Sequence, residues 1–331
     1  MNAPALTPRD ALALGSWNTW SLISFEDGLR VVQEAYDAGI RVFDVGYYWD
    51  KPHTELVFGH YLRVLGLGPD DVEIAEKLWL WDYPTTESFV DQMKGALVRL
   101  GLDRVDTALL PRPANVGMPM DVYLGMVQEL LDSGLARRWS MTNWDIEAVV
   151  DAIATADTMG VPRPYEVQLQ YNLARRNVVE SPEFAEFFAT SGVRLQPSFT
   201  LEGGILAGKL ERDRVQPEAM AGGQNVVGRN IARDAGGIRP RIRESLPELR
   251  EIAARFDAST AQLALAFALL HPQRSTVLLG VSQVEQVREA VAAVDLAREH
   301  GAAILDAVAH YDVGDTVHPA LFNPRLDRRL G

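Results

Sequence analysis

The chain has 331 residues, 47% apolar and 23% charged, enough for one large domain or two smaller ones. Its 45 acidic and 32 basic side chains leave a formal net charge of -13, which repels phosphate backbones and anionic lipid and argues against nucleic acid and membrane partners. Cysteine is absent, which excludes disulfides, thiolate chemistry and cysteine-based zinc sites and is compatible with a reducing cytoplasm.

Short apolar runs alternate with longer helical patterns along the chain. Residues 12–17 form a first strand candidate, and 26–39 read as a helix ended by Gly39. The run "IRVFDV" (40–45) is a strand, followed by a helix over "HTELVFGHYLRVLG". Strand 71–78 precedes helix 86–101, strand 104–110 precedes helix 120–134, and the weaker strand 136–142 precedes helix 145–160. Residues 165–170, 193–199 and 275–280 supply three more strands, each followed by helical sequence. About eight strand–helix units in a single domain over 1–331 fit a closed (β/α)8 TIM barrel better than a doubly wound sheet. A dinucleotide-binding sheet would usually carry G-x-G-x-x-G after its first strand, and "LGSWNTW" stands there instead. The glycine- and arginine-rich segment 203–240 reads as a long functional loop, and 311–331 as a loosely attached tail. The N-terminus carries no secretory signal pattern, and no apolar run reaches the roughly 18 residues a membrane span needs.

A barrel of this kind places its chemistry at the C-terminal ends of the strands. Those ends are Ser16 and Trp17, Asp44, Lys77, Pro111, Thr142 and Asn143, Gln168, and Gly280 to Ser282. A carboxylate and a lysine on adjacent strand ends can pair across the mouth, and a phenol beside that ammonium gives up its proton more readily. A lone Asp is often a cap and a lone Lys is usually solvated. Both in corresponding places, with Asn and Gln on later strands, favour a site.

The motifs resemble those of the aldo-keto reductases, and most closely the branch containing the β subunits of voltage-gated potassium channels. The resemblance rests on "LGSWNTW", "GIRVFDV", "IAEKLWLW", "RLGLDRVDTALLPRP", "GLARRWSMTNW", "VQLQYNL", "GGILAGKL" and "VLLGVSQVEQVREAV", in that order. It implies an NADP(H)-dependent reductase of small-molecule substrates. Asp44 and Lys77 fall on catalytic positions. Asn143 and Gln168 fall where the nicotinamide amide is oriented, beside Ser16, Trp17 and Thr142. Leu206, Gly208, Lys209, Gly280, Ser282, Gln286 and Glu289 fall on phosphate and adenosine positions, and Arg229 is a further candidate for the 2′-phosphate. No His/Asp/Glu cluster has metal-ligand spacing, which argues against a metal, and a homo-oligomer stays open.

Two departures matter more than the matches. The family tyrosine stands five residues after the aspartate and a glutamate eleven after it. Here those positions hold Trp49 and Glu55, with Tyr48 one place away, and the family histidine position holds Pro111. An indole N–H donates a hydrogen bond but releases no proton at usable pH. Four readings follow: Tyr48 or Tyr47 supplies the proton to a carbonyl; an iminium takes hydride directly, its cation stabilised by Asp44; a conjugated alkene is reduced with a proton from solvent or Lys77; or the chain binds NADP(H) without turnover. His53 lies near the start of the second helix within reach of a pocket, and His60 reads as structural.

Overall fold

The computed structural model describes residues 6–17, 19–20, 22–46, 53–78, 88–113, 118–208 and 238–315. A four-residue helix, α1 (Pro8–Ala11), opens the described chain, with Thr7 as its cap. The barrel units are then β1 (Leu12–Gly15) and α2 (Phe25–Asp37), β2 (Val42–Gly46) and α3 (Thr54–Leu65), β3 (Glu73–Lys77) and α4 (Phe89–Leu100), and β4 (Val105–Pro111) and α5 (Met120–Asp132). They continue with β5 (Ala136–Thr142) and α6 (Ile146–Met159), then β6 (Glu166–Gln170) and α7 (Pro182–Ser191). After β7 (Arg194–Ser198) come a 3-10 turn (Glu202–Gly204) and the helices α8 (Arg239–Ala254) and α9 (Thr260–Leu269). The strand β8 (Val277–Leu279) leads into the long α10 (Val284–Ala307).

All eight expected strands are present and parallel, in the order β7-β6-β5-β4-β3-β2-β1-β8. The two end strands meet through Leu195, which exchanges backbone hydrogen bonds with Gln273 and Ser275, so the sheet curls into a (β/α)8 barrel. Buried parallel strands read as short apolar runs because both faces are covered. The helix starts follow local chemistry: Ser24, Ser88, Asp145 and Ser181 each accept a backbone N–H of the following turn. Ser259 and Gln262 form a reciprocal capping box at α9. Among the described residues no helix is long and apolar enough to cross a membrane.

Side-chain alternation decides what the barrel encloses. Phe43 packs 5.3 Å from Phe58 of α3, so its neighbour Asp44 faces the barrel interior. Glu76 turns toward α3 and α4, where Glu55 is ion-paired with Arg99, so Lys77 turns inward. Trp20 stacks on Phe58 at 4.8 Å, sealing the layer between β2 and α3. Gly59 lets α3 approach α4 so closely that a Cβ there would lie 2.2 Å from the Leu100 carbonyl oxygen.

Candidate active site

Strands β2, β3, β5, β6 and β7 bring one polar side chain each to the upper interior of the barrel. Lys77 Nζ lies 3.4 Å from Asp44 Oδ2 and donates to Gln168 Oε1 at 3.2 Å. Gln168 Nε2 donates to Asp44 Oδ2 at 2.7 Å and to Gln196 Oε1 at 2.6 Å. Thr142 Oγ1 donates to Gln168 Oε1 at 3.3 Å, and Gln196 Nε2 donates to Thr276 Oγ1 at 3.1 Å. Asp44 and Lys77 are both buried, so each charge depends on the other and on Gln168 for its solvation. The structure therefore gathers Asp44, Lys77, Thr142 and Gln168, residues far apart in the chain, into one hydrogen-bonded cluster.

Behind β3 lies a second acidic pair with a different balance. Glu55 and Glu76 are fully buried, and Arg99 pairs with Glu55. Burial, and then the Glu55 carboxylate, push Glu76 well above the usual carboxylate range, so Glu76 keeps its proton and lets one guanidinium serve the pair.

The walls of the mouth come from the strand ends. Ser16 is buried, and its backbone N–H donates to the Asp44 carbonyl at 2.9 Å. Trp17 and Phe199 lie 6.3 Å apart at a 45° tilt, one after β1 and one after β7. Asn143 and Phe199 both hold φ of 56°, a left-handed conformation that non-glycine residues avoid. Such strain gathers at ligand-binding positions because the surrounding fold must enforce it. The Asn143 backbone N–H is fixed to the Gln168 carbonyl at 2.9 Å, while its side-chain amide has no partner among the described residues.

The remaining predicted positions lie on the β7 and β8 side. Leu206 is buried, Gly208 takes a φ of 74°, and Gly280 is exposed at the end of β8. The Ser282 backbone N–H donates to Gln286 Oε1 at 2.8 Å, just before α10. Glu289 accepts a hydrogen bond from Ser259 Oγ at 2.6 Å, so it already supports the start of α9. Tyr47, Tyr48, Trp49, Lys209 and Arg229 lie outside the described residues. His53 occupies the cap position of α3 without a side-chain cap bond, and His60 packs 5.0 Å from Phe25 beside Arg63.

Pro111 ends β4. Its carbonyl accepts a hydrogen bond from the Tyr123 hydroxyl at 2.6 Å, and burial raises the Tyr123 pKa well above that of a free phenol. Next to it, Arg112 pairs with Asp145, the cap of α6. Two members of the site were not expected from the sequence, Gln196 and Phe199. The signal for Gln196 was a lone polar residue in the apolar run "VRLQPSF", in register with Gln168.

An eight-stranded parallel barrel with a buried Asp–Lys–Gln cluster at its C-terminal mouth defines a class of proteins that do small-molecule chemistry at strand ends. The family model described as "Aldo/keto reductase family" matches residues 11–307, and the chain belongs to that family. Among curated relatives, a protein of Oryza sativa subsp. japonica named "Probable voltage-gated potassium channel subunit beta" is 27% identical over 295 residues, covering 86% of this chain and 87% of its own. A protein of Arabidopsis thaliana with the same name is 25% identical over 296 residues, with 86% and 87% covered. In fold the chain is similar to an aldo-keto reductase from Klebsiella pneumoniae solved in complex with NADPH, with a TM-score of 0.66, 21% identity, and 89% and 90% of the two chains covered.

Proposed function

We propose that this protein is an NADP(H)-dependent reductase that transfers hydride to a small carbonyl, imine or conjugated alkene at the barrel mouth. The observation that carries the reading is the closed Asp44–Lys77–Gln168 cluster at the strand ends. The residues present fit such a cofactor. Asn143 has a side-chain amide without a partner among the described residues, beside Gln168 and Thr142, a donor–acceptor set suited to the nicotinamide carboxamide. Trp17 and Phe199 offer aromatic surface to the ring, with Ser16 behind them. Leu206, Gly208, Lys209, Gly280, Ser282, Gln286 and Glu289 would line the phosphate and adenosine end. The relative solved with NADPH supports the cofactor assignment.

When bound, the cofactor supplies the hydride. Asp44 and Lys77 set the charge around the acceptor: the carboxylate favours a developing cation, and the ammonium favours a developing alkoxide or enolate. Gln168 holds the two in place and, on accepting the carboxamide, would release part of its grip on Asp44. Trp49 would stack on or orient substrate and cannot act as an acid. Tyr48 would be the proton source for carbonyls, whereas iminium substrates need none. Pro111 offers no donor, which favours substrates that take hydride without a proton.

A second reading, a cofactor-binding subunit with little turnover, draws on the same missing donors and on the curated relatives named as channel subunits. Fluorescence titration is expected to show NADPH binding more tightly than NADH. Single-turnover oxidation of bound NADPH with aldehydes, cyclic imines and enones then separates the readings. Oxidation by none of them leaves the binding subunit, and Tyr48→Phe with intact aldehyde turnover removes Tyr48 as the acid.

A further inference from the structure

The opposite end of the barrel holds a cavity of about 120 Å³ lined by charged and polar groups. Arg9 and Asp10 of α1 sit over it, and Glu73, Arg138, Glu166 and Arg194 enter from the starts of β3, β5, β6 and β7. Thr107, Tyr165, Ser275 and Thr276 add hydroxyls. Barrel cores are usually filled with branched apolar side chains, so a polar cavity here needs a physical account.

Three guanidiniums and three carboxyls line the cavity, but among the described residues only Arg138 and Glu73 form an ion pair. Arg138 pairs with Glu73 at 3.0 Å and donates to Thr107 Oγ1 at 2.8 Å, and its guanidinium lies 3.9 Å from the Tyr165 ring centroid. Arg194 donates to the Tyr165 hydroxyl at 3.2 Å, lies 5.3 Å from that ring, and faces Glu166. Neither Arg9 nor Arg194 has a carboxylate partner among the described residues. Glu166 is the one buried acid of the lining. It faces Arg138, Arg194 and Ser275, and on the mouth side Asp44. Burial raises its pKa to about 7, so near neutrality it is at least partly protonated and able to donate a hydrogen bond.

We propose that this floor cavity is a binding site for a small oxyanion, a phosphate, a sulfate or a short carboxylate, held by the guanidiniums of Arg9 and Arg194 against the Arg138–Tyr165–Glu166 wall. Guanidiniums present paired N–H donors that match tetrahedral and planar oxyanions. The site lies at the other end of the strands from the mouth, so it is separate from the cofactor positions.

Sulfate is the probe, because its charge does not change between pH 6 and 8.5. Thermal unfolding of the full chain is followed with saturating NADPH, which occupies any phosphate pocket at the mouth, and with sodium chloride holding ionic strength constant. The expected result is a saturable rise in the midpoint that is larger at pH 6 than at pH 8.5. The double variant Arg9→Gln/Arg194→Gln, which changes two exposed side chains, should weaken the apparent sulfate affinity at least about fivefold. In Glu166→Gln the sulfate response should persist while its pH dependence disappears. An equal response in wild type and double variant, or a non-saturating rise in both, reflects general salting and overturns the proposal. Phosphate and malonate titrations then distinguish the oxyanion sources.

Discussion

The two ends of the barrel treat buried charge in opposite ways. At the mouth, Asp44 is matched by one cation and one amide, both meeting its Oδ2, and Gln168 links the pair to Gln196. At the floor, Glu166 faces Arg138 and Arg194 without an ion pair to either, and burial outweighs their pull and raises its pKa to about 7. Both acids feel burial, but only Asp44 has an ammonium within ion-pair distance. The difference teaches that a buried acid can be met by a cation at ion-pair distance, as Asp44 is by Lys77, or be left to burial, which at Glu166 raises the pKa.

The most severe way to break this contrast is to remove the ammonium. Lys77→Met should lower stability by about 3–5 kcal/mol, because Asp44 is then a buried charge without a counterion. Urea unfolding checks this, and the double variant Asp44→Leu/Lys77→Met should recover most of the loss. A single variant as stable as wild type would mean that Asp44 does not need Lys77.

The floor gives the next largest effect, through pH. The folded-state pKa of Glu166 is about 7 against an ordinary 4.5, so the folded protein holds this proton more tightly than the unfolded chain. Its contribution is favourable below the unfolded value and is lost as pH rises to about 7, a swing of about 3 kcal/mol at 1.36 kcal/mol per unit. Glu166→Gln should therefore flatten the fall in stability between pH 5 and 8, measured by urea midpoints in matched buffers.

Two smaller changes test the frame that holds both ends. Gly59→Ala drives a Cβ into the Leu100 carbonyl and should cost about 1–3 kcal/mol, read as a lowered melting temperature. Because the clash lies between α3 and α4, NADPH affinity should be unchanged below that temperature. Ser259→Ala removes the α9 cap and the partner of Glu289, for about 1 kcal/mol. NADPH affinity should change by less than about twofold, and a larger loss would show that Glu289 is oriented through this serine.

Much of this was legible in the sequence, for physical reasons. The strands were, because residues buried on both faces leave little but apolar side chains, bounded by turns. Asp44, Lys77 and Gln168 were, because a charged or amide side chain ending such a run must be solvated by something. Their mutual contacts were not: the bond from Gln168 to Asp44 spans 124 positions, and no local pattern encodes it. Gln196 was hidden inside the strand read over 193–199, where a lone amide in an apolar run does not show what it meets. Nothing local marks Glu166 either, because its burial comes from the closure of the barrel around it. The four-residue α1 is too short for any periodicity, and Glu289 shows its partner only when α9 and α10 pack together.

The register of β4 has one more consequence. Its pairing with β3 stops at Leu109 opposite Lys77, while its pairing with β5 runs on through Pro111 opposite Thr142. Among the described residues the strand thus outruns β3 by two positions, and Pro111 ends it buried, its carbonyl taken by the Tyr123 hydroxyl. A proline fits there because no described β3 residue is registered opposite it. The residue at 111 lies beyond the β3–β4 pairs, which end at Leu109, so a substitution there leaves that ladder in place while it alters the rim.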